Sequence, residues 1–303
     1  MQKGKRTRAQ SAMEYLMTYG WAILVIAVVL GALYQLGILN PGSLAGKAQP
    51  GGCQVIRPNG PNTTQLMSLS GICSGQQPQF VAKFSGNGGY VNFGNSPLVS
   101  PEAGANGAMS LCMWYSVTSL TEYVGPALKG QGTPSYGNGW EYTFDQQGNA
   151  QGFTIWNSGS TVIAGYSTGS QPAVNKWNYA CMTYSYAGSS AFYYLNGVQK
   201  VATFTGGNGP ASAKSGNFIV GGGDSGYSSV MIANVQLYNA SLSANEMTAM
   251  YTEGIGGAPI QLRNLVGWWP LNGNQNDYSG NLQNGAANSM SYTGSWTNGY
   301  SIP

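Results

Sequence analysis

The pattern of apolar and polar positions divides the chain into two regions. Residues 21–33 carry no polar group except the indole N–H of Trp21, and the segment 10–39 around them is mainly apolar. A helix that is apolar on every face belongs in lipid or in the centre of a helix bundle. From residue 79 onward the pattern changes to short β-type runs separated by Gly, Asn, Ser and Pro. The sequence therefore predicts one long apolar helix followed by a mainly-β domain.

Charge is distributed unevenly around the helical segment. The basic residues Lys3, Lys5, Arg6 and Arg8 precede it, and one acid, Glu14, lies near its start. About 30 helical residues extend ~45 Å, which exceeds the ~30 Å hydrocarbon layer of a bilayer. The sequence therefore predicts a membrane-inserting helix in which Glu14 is costly, because an acid inside lipid costs a few kcal/mol.

Three interpretations fit such a segment. A cleaved secretory signal has an apolar run of about 7–15 residues before a small-x-small site. Residues 43–45 could provide that site, but the run here is longer. A permanent anchor would leave the basic end in the cytoplasm and the rest of the chain outside. Neither interpretation explains Glu14.

The third interpretation comes from a motif. Gln-Ser-Ala-Met-Glu-Tyr-Leu at 10–16, after Arg-Ala, resembles the class III signal peptide of archaeal type IV pilin-like proteins. The resemblance covers residues 1–39 and implies that a prepilin peptidase cuts between Ala9 and Gln10 in the cytoplasm. It implies that the retained helix forms a filament core, where Glu14 meets the amine of a neighbouring subunit; a desolvated charge is tolerable when paired. The predicted segments are a leader at 1–9, a transmembrane or filament-core helix at 10–39 and a hinge at 40–52.

Composition narrows the classes of partner. Charged residues make up 7% of the chain, far below the usual ~25%. Four of the 12 basic residues lie in the leader, so cleavage would leave a slightly negative chain with 9 acids. Nucleic acid is therefore excluded as an expected partner, because phosphate binding needs clustered basic residues. The aromatic content of 12% argues against disorder.

Four cysteines, Cys53, Cys73, Cys112 and Cys181, all follow the helix. An even number on the side expected to be extracellular predicts two disulfides, with three possible connectivities. We favour Cys53–Cys73, which would clip a turn-rich segment at 53–78, and Cys112–Cys181, which joins two predicted strands. Buried free thiols are the alternative. No C-x-x-C pair and no histidine is present, so we predict no zinc site, no other metal and no cofactor.

Ten runs are predicted strands: Phe80–Phe84, Tyr90–Phe93, Met109–Val117, Trp140–Phe144, Phe153–Trp156, Trp177–Tyr186, Ala191–Leu195, Val198–Phe204, Phe218–Gly221 and Val230–Tyr238. Asn196-Gly197 is the preferred pair for a type I′ hairpin turn. Ser243 and Glu246 form the signature of a capping box at the start of a short helix.

These runs together resemble the laminin G-like, concanavalin A-like jelly-roll family over residues 79–257. The segments that carry the resemblance are 90–94, 109–114, 177–183, 194–197 and 232–238. The fold class is therefore an N-terminal hydrophobic helix followed by a mainly-β jelly-roll sandwich. Residues 265–280 look like the opening strand and loop of that family, yet they come late, in the C-terminal segment 258–303. A circular permutation explains this order, and donation of the strand to the next subunit is the alternative.

Enzymatic chemistry has little support in the sequence. Glycoside hydrolysis needs two carboxylates at a set separation, and the nearest match, Glu141 with Asp145, has the wrong spacing for the jelly-roll hydrolases. The absence of histidine excludes Ser–His–Asp catalysis. Asp277 lies in an Asn-rich loop that could hold calcium weakly but is explained more simply as a turn. The expectation is that the protein is not an enzyme.

Sugar binding would use exposed aromatic rings beside amides, for which Trp140, Trp156 and Tyr136 are the candidates. Asn62 and Asn239 begin N-x-[ST] sequons and are candidate glycosylation sites. The sequence thus predicts a structural subunit of an extracellular type IV pilus-like filament. This homo-oligomer would be built by pilus assembly machinery from a membrane precursor with its N-terminus inside, and would display a β-sandwich head for adhesion, with glycans as candidate ligands. The alternative is a membrane-anchored monomeric carbohydrate-binding module with the same head.

Overall fold

The computed structural model describes residues 6–35, 46–48, 52–86, 88–120, 124–130, 139–144, 150–157, 161–168, 171–207, 209–211, 216–222 and 229–303. The chain separates into two compact units, Met1–Ala45 and Gly46–Pro303.

The first unit contains one helix, α1 (Arg6–Gln35). From Met17 to Leu30, its large hydrophobic side chains are 49–68% exposed. An N-terminal helix is therefore present, as the sequence predicts. No helix in the described part of the chain is both long and apolar enough to cross a membrane. The predicted membrane role of this helix stays a prediction.

The second unit is built around two antiparallel sheets. Sheet A contains, in spatial order, β15 (Thr203–Phe204), β11 (Val162–Thr168), β10 (Ala150–Trp156), β9 (Trp140–Phe144), β8 (Val124–Gly130), β16 (Asn217–Val220), β6 (Tyr90–Asn92) and β19 (Ala286–Asn288). Sheet B contains β14 (Val198–Lys200), β13 (Ser190–Leu195), β12 (Trp177–Ser185), β7 (Ala108–Val117), β17 (Ser229–Tyr238), β5 (Val81–Ser85) and β20 (Ser291–Thr293), with β18 (Leu265–Trp269) also paired to β17.

Smaller elements complete the second unit. The strand β1 (Gly46–Ala48) pairs in parallel with β4 (Gln76–Pro78), and β2 (Cys53–Ile56) forms a hairpin with β3 (Ser68–Gly71). A 3-10 helix occupies Pro97–Val99, and the short helix α2 spans Ala244–Thr252.

Two buried apolar clusters lie on opposite faces of sheet B. The inner cluster is the sandwich core between the sheets, and the outer cluster lies under α2 and the C-terminal residues. Along β7, Leu111 and Met113 belong to the inner cluster, whereas Cys112 and Trp114 belong to the outer one. Successive side chains of a strand point to opposite faces, so this strand is buried on both faces from Met109 to Val117, and its sequence is apolar except at Ser110 and Ser116.

The predicted hairpin and the predicted helix are both confirmed. Asn196 and Gly197 have φ angles of 51° and 75°, the left-handed values that a type I′ turn requires. Ser243 caps α2 through the nitrogen of Glu246, and the Glu246 carboxylate accepts from the Ser243 nitrogen at 2.8 Å. The residue pairs recognised in the sequence therefore begin and connect elements as expected.

The late strand β18 pairs within its own chain. The first half of β17 pairs with β5 through Ser229–Ile232, and the second half pairs with β18 through Val235–Tyr238. Two strands from opposite ends of the head thus share one edge of β17. Beyond β18, Trp296 and Tyr300 are buried in the outer cluster, so the C-terminal segment completes the core.

The sequence did not predict β1, β8, β11, β19 or β20, and β1 lies within the segment 40–52 that was predicted to be a hinge. Within β8, Pro126 cannot donate to a ladder and Gly125 lowers strand propensity, which hides the strand. Within 53–78, a segment expected to be only turn-rich, the structure forms the β2–β3 hairpin and β4. The predicted run Val198–Phe204 divides into β14 and β15, which pair with different sheets.

Candidate functional site

The aromatic residues proposed as sugar platforms are not exposed. Trp140 and Trp156 are 1% and 7% exposed, and the Trp140 ring packs 5.3 Å from that of Phe218. The expectation that these two side chains offer open stacking faces is therefore corrected. Both residues lie at the ends of strands, as predicted, and next to Gly- and Asn-rich segments, but their side chains are buried in the sheet, as large apolar side chains usually are. Tyr136 lies outside the described residues.

A cleft opens instead beside the outer cluster, between the β2–β3 hairpin, β4 and the segment around β18. Its cavity volume is about 50 Å³, and its mouth opens to solvent. Aromatic and amide side chains line it together with the first disulfide: Cys53, Ile72, Gln76, Asn234, Trp268, Asn272 and Tyr278. Aromatic rings with a few convergent amides are the lining that binds small polar ligands with apolar faces, such as sugars.

Asn234 fixes the back wall of this cleft. It has a φ of 52° at a bulge in β17, where the pairing changes from β5 to β18. Its side-chain oxygen accepts hydrogen bonds from Trp268 Nε1 at 2.8 Å and from Gln236 Nε2 at 3.0 Å. Its side-chain nitrogen donates to the carbonyl of Gly257 at 2.8 Å. The amide therefore holds the Trp268 indole in one orientation.

The loop after β18 is held by Asp277. Its carboxylate accepts from the nitrogens of Trp268 at 3.0 Å, Ser279 at 2.8 Å and Gln283 at 2.9 Å, and from Ser279 Oγ at 2.8 Å. Both carboxylate oxygens of Asp277 therefore accept hydrogen bonds from residues of the loop and from Trp268. This agrees with the interpretation of the Asn-rich segment as a turn. In the part of the chain that the structure describes, no group of three or more His, Cys, Asp and Glu residues could hold a metal.

Arg57 ties the hairpin wall to the same loop. Its guanidinium donates to the carbonyls of Ser279 at 2.8 Å, Leu265 at 3.1 Å and Leu262 at 3.2 Å, and also to that of Thr63. Desolvation lowers the pKa of Arg57, and the nearby Asp277 opposes that shift. The two walls of the cleft are therefore linked by hydrogen bonds between distant parts of the sequence.

The two predicted disulfides are confirmed. Cys53–Cys73 closes the hairpin that forms one wall of the cleft, and Cys112–Cys181 joins directly paired positions of β7 and β12. Both sequon asparagines, Asn62 and Asn239, are exposed, although the Asn239 oxygen accepts from Asn264 Nδ2 at 3.1 Å. Their glycosylation stays a prediction.

The residues expected in processing and assembly all fall within α1. Ala9, Gln10 and Glu14 belong to its first half, and their side chains lie outside the described part of the structure. The structure therefore does not test their roles.

The two sheets and their shared core define a concanavalin A-like β-sandwich. A family model described as the concanavalin A-like lectin/glucanases superfamily matches residues 85–248, and the chain belongs to this family. No curated protein matches the chain.

Several solved structures are similar to the chain at low identity. A protein from Bacteroides ovatus, provisionally described as carbohydrate binding, is 14% identical with a TM-score of 0.50, and the match covers 75% of this chain and 63% of that one. A heptameric SAP-like pentraxin from Limulus polyphemus is 12% identical with a TM-score of 0.44, covering 60% and 84%. The receptor-binding domain of a botulinum neurotoxin mosaic serotype C/D is 13% identical with a TM-score of 0.46, covering 67% and 46%.

Proposed function

We propose that the head is a glycan-binding module and that the cleft beside Cys53–Cys73 is its binding site. The observation that carries this proposal is the meeting of Trp268 and Tyr278 with the amides of Gln76, Asn234 and Asn272 in one opening. Membership of a lectin-like family supports the same class of ligand. The proposal is binding without catalysis, because the nearest match to a hydrolase carboxylate pair, Glu141 with Asp145, has the wrong spacing.

The side chains of the cleft have different roles in this proposal. Trp268 is 3% exposed and its indole N–H is bonded to Asn234, so it serves as a fixed apolar floor. Tyr278 and Gln76 are half-buried and supply a ring edge and an amide at the mouth. Ile72 is 65% exposed at the rim, where a larger side chain would narrow the entrance without entering a core.

The test is a glycan array followed by calorimetry on the best ligand. Ile72→Trp and Gln76→Ala should each weaken binding at least tenfold, a loss of about 1.4 kcal/mol. Val198→Trp is the matched control, because Val198 is 58% exposed on β14 and does not line the cleft. Binding that survives both rim substitutions but fails in the control would place the site elsewhere, and an array without any ligand would refute the proposal.

We further propose that α1 makes the protein a subunit of an extracellular filament. Two features support this role: the Gln-Ser-Ala-Met-Glu-Tyr-Leu motif after the basic leader, and apolar side chains left exposed along 17–33 in a single chain. Copies of the helix packed together would cover that surface. In this proposal a prepilin peptidase removes residues 1–9, the precursor waits in the cytoplasmic membrane with its N-terminus inside, and assembly machinery builds the filament.

Sequencing of the mature N-terminus and electron microscopy of cell-surface filaments test this second proposal. A filament subunit should begin at Gln10, and Glu14→Ala should lower filament yield, because the helix would lose its paired carboxylate. Glu253→Ala, a change at an exposed acid that ends α2, is the control and should leave yield unchanged. A protein that keeps Met1 and stays monomeric in detergent would instead be a membrane-anchored binding module.

A further inference from the structure

A buried amine and a buried acid of the second unit interact electrostatically. Lys129 on β8 and Glu102, which follows the 3-10 helix, are both 0% exposed. Lys129 is paired directly with Phe218 on β16 and lies two residues from Ala127, a member of the inner cluster. Side chains two residues apart on a strand share a face, so the Lys129 side chain extends along the core.

The Lys129 amine lies against a side-chain amide. Its Nζ donates to Oδ1 of Asn95 and to the backbone carbonyl of Gly216. Asn95 comes three residues after β6, which is on the far side of β16 from β8. Asn95 itself is exposed, so its amide is reached by the buried amine from inside and by solvent from outside.

Glu102 is a buried acid without a hydrogen-bond partner. Neither of its carboxylate oxygens has one, and the nearby Trp140 indole nitrogen also has none at ordinary geometry. Burial raises the pKa of Glu102 to about 7, opposed by Lys129 and by the proximity of Trp140. Burial likewise lowers the pKa of Lys129, opposed by Glu102. Desolvation therefore favours the neutral forms of both groups, a nucleophilic amine and a proton-donating acid.

We propose that Lys129 and Asn95 are joined by an intramolecular amide bond whose formation is assisted by Glu102. The neutral Nζ adds to Cγ of Asn95, a new C–N bond forms, the bond from Cγ to Nδ2 breaks, and one ammonia leaves. Glu102 carries a proton from the attacking nitrogen to the departing one, so it ends in its starting state. The reaction needs no oxidant, reductant or co-reactant.

The placement of the amine next to the amide is expected to accelerate this reaction. An amine held against an amide reacts with an effective molarity far above that in solution, and a well-placed acid adds about 10²–10⁴-fold. The exposed side of Asn95 gives ammonia a path to solvent. The bond would connect β8 to the segment after β6 across the intervening strand β16, and so fasten one end of sheet A covalently.

Mass spectrometry of the purified full-length protein tests the proposal directly. The intact mass, corrected for both disulfides and any removed leader, should be lower than the sequence mass by one ammonia. Digestion should yield a branched peptide that joins the segments around Asn95 and Lys129. A folded protein with its full sequence mass, and with both residues recovered in unlinked peptides, would overturn the proposal.

Variants separate the chemistry from folding. Lys129→Met and Asn95→Ala should recover the full mass, whereas Lys83→Met, at an exposed lysine on β5, should keep the loss. Glu102→Gln, which preserves shape but removes the acid, should form the bond at least a hundredfold more slowly. Glu102→Asp should restore part of that rate, which a purely structural role would not predict. A bond that forms equally fast in Glu102→Gln would refute the role of the acid.

Discussion

The indole N–H of Trp268 donates a 2.8 Å hydrogen bond to the side-chain oxygen of Asn234. The two residues lie 34 positions apart on consecutive strands, and they meet where the pairing of β17 changes from β5 to β18. This hydrogen bond therefore links β18 to the bulge in β17. The side-chain amide of Asn234 therefore stabilises both the pairing of β17 with β18 and the wall of the cleft.

Replacement of Asn234 should destabilise the head. Asn234→Ala leaves the buried N–H groups of Trp268 and Gln236 without this acceptor and places a Cβ-bearing, non-polar residue at a φ of 52°. The expected loss is about 3 kcal/mol of unfolding free energy, measured by urea titration. Asn234→Gly removes the strain of the positive φ angle, so it should cost about 1 kcal/mol less unfolding free energy than Asn234→Ala. Equal stability of Asn234→Ala and the wild type would contradict this assignment.

The two disulfides should differ in their contribution to stability. They close loops with sequence separations of 20 and 69 residues, and the chain-entropy model gives about 3 kcal/mol for the shorter and about 4 kcal/mol for the longer. Paired Cys→Ala replacements, compared by denaturant titration, should follow that order. Loss of Cys53–Cys73 should also weaken glycan binding, since it releases a wall of the cleft, whereas loss of Cys112–Cys181 should affect stability alone.

Stability should fall as pH rises through the range set by Glu102. Its pKa is raised from 4.5 when unfolded to about 7 when folded, because its carboxyl is buried. The folded state therefore binds the proton more tightly, and stability is highest below pH 4.5 and decreases until about pH 7. The unfolding free energy should decrease by about 3 kcal/mol over this range. The groups that interact with Glu102 are Lys129, Trp140 and Tyr184. Glu102→Gln should flatten the profile in this window.

The type I′ hairpin predicts a selective intolerance at Gly197. A Cβ there would lie 2.6 Å from Cδ1 of Tyr251 on α2, at a φ of +75°. Gly197→Ala should therefore cost about 2–3 kcal/mol by thermal or urea unfolding. Gly60→Ala is the control, because Gly60 also has positive φ, at +92°, but no heavy atom lies within 4 Å of the added Cβ. The control should cost about 1 kcal/mol, and equal losses would show that Tyr251 does not pack as described.

Local chemistry accounts for what the sequence predicts correctly. The Asn196-Gly197 turn and the Ser243–Glu246 cap depend on a few adjacent residues. The core strands β7, β12 and β17 follow from long apolar runs. These features need no knowledge of distant contacts.

The cleft and the buried pair could not be predicted in the same way. In the sequence, Asn234 is an ordinary strand residue, and its role is visible only once β18 is paired beside it. Trp140 was expected to be exposed, and only the folded sheet shows that it is buried. Glu102 and Lys129 are residue types that are usually solvated, and only the folded chain shows that they are buried and interact with each other. In each case the missing information is a contact between distant segments.

The position of β18 also bears on how the protein is made. A nascent chain leaves the ribosome from its N-terminus, so β7, β12 and β17 are synthesised well before residues 265–300. Those later residues supply Trp269 to the inner cluster and Trp268 and Trp296 to the outer one. Until they emerge, half of β17 lacks its neighbour and both apolar clusters are incomplete. The core of this head can therefore be completed only once residues 265–300 have left the ribosome.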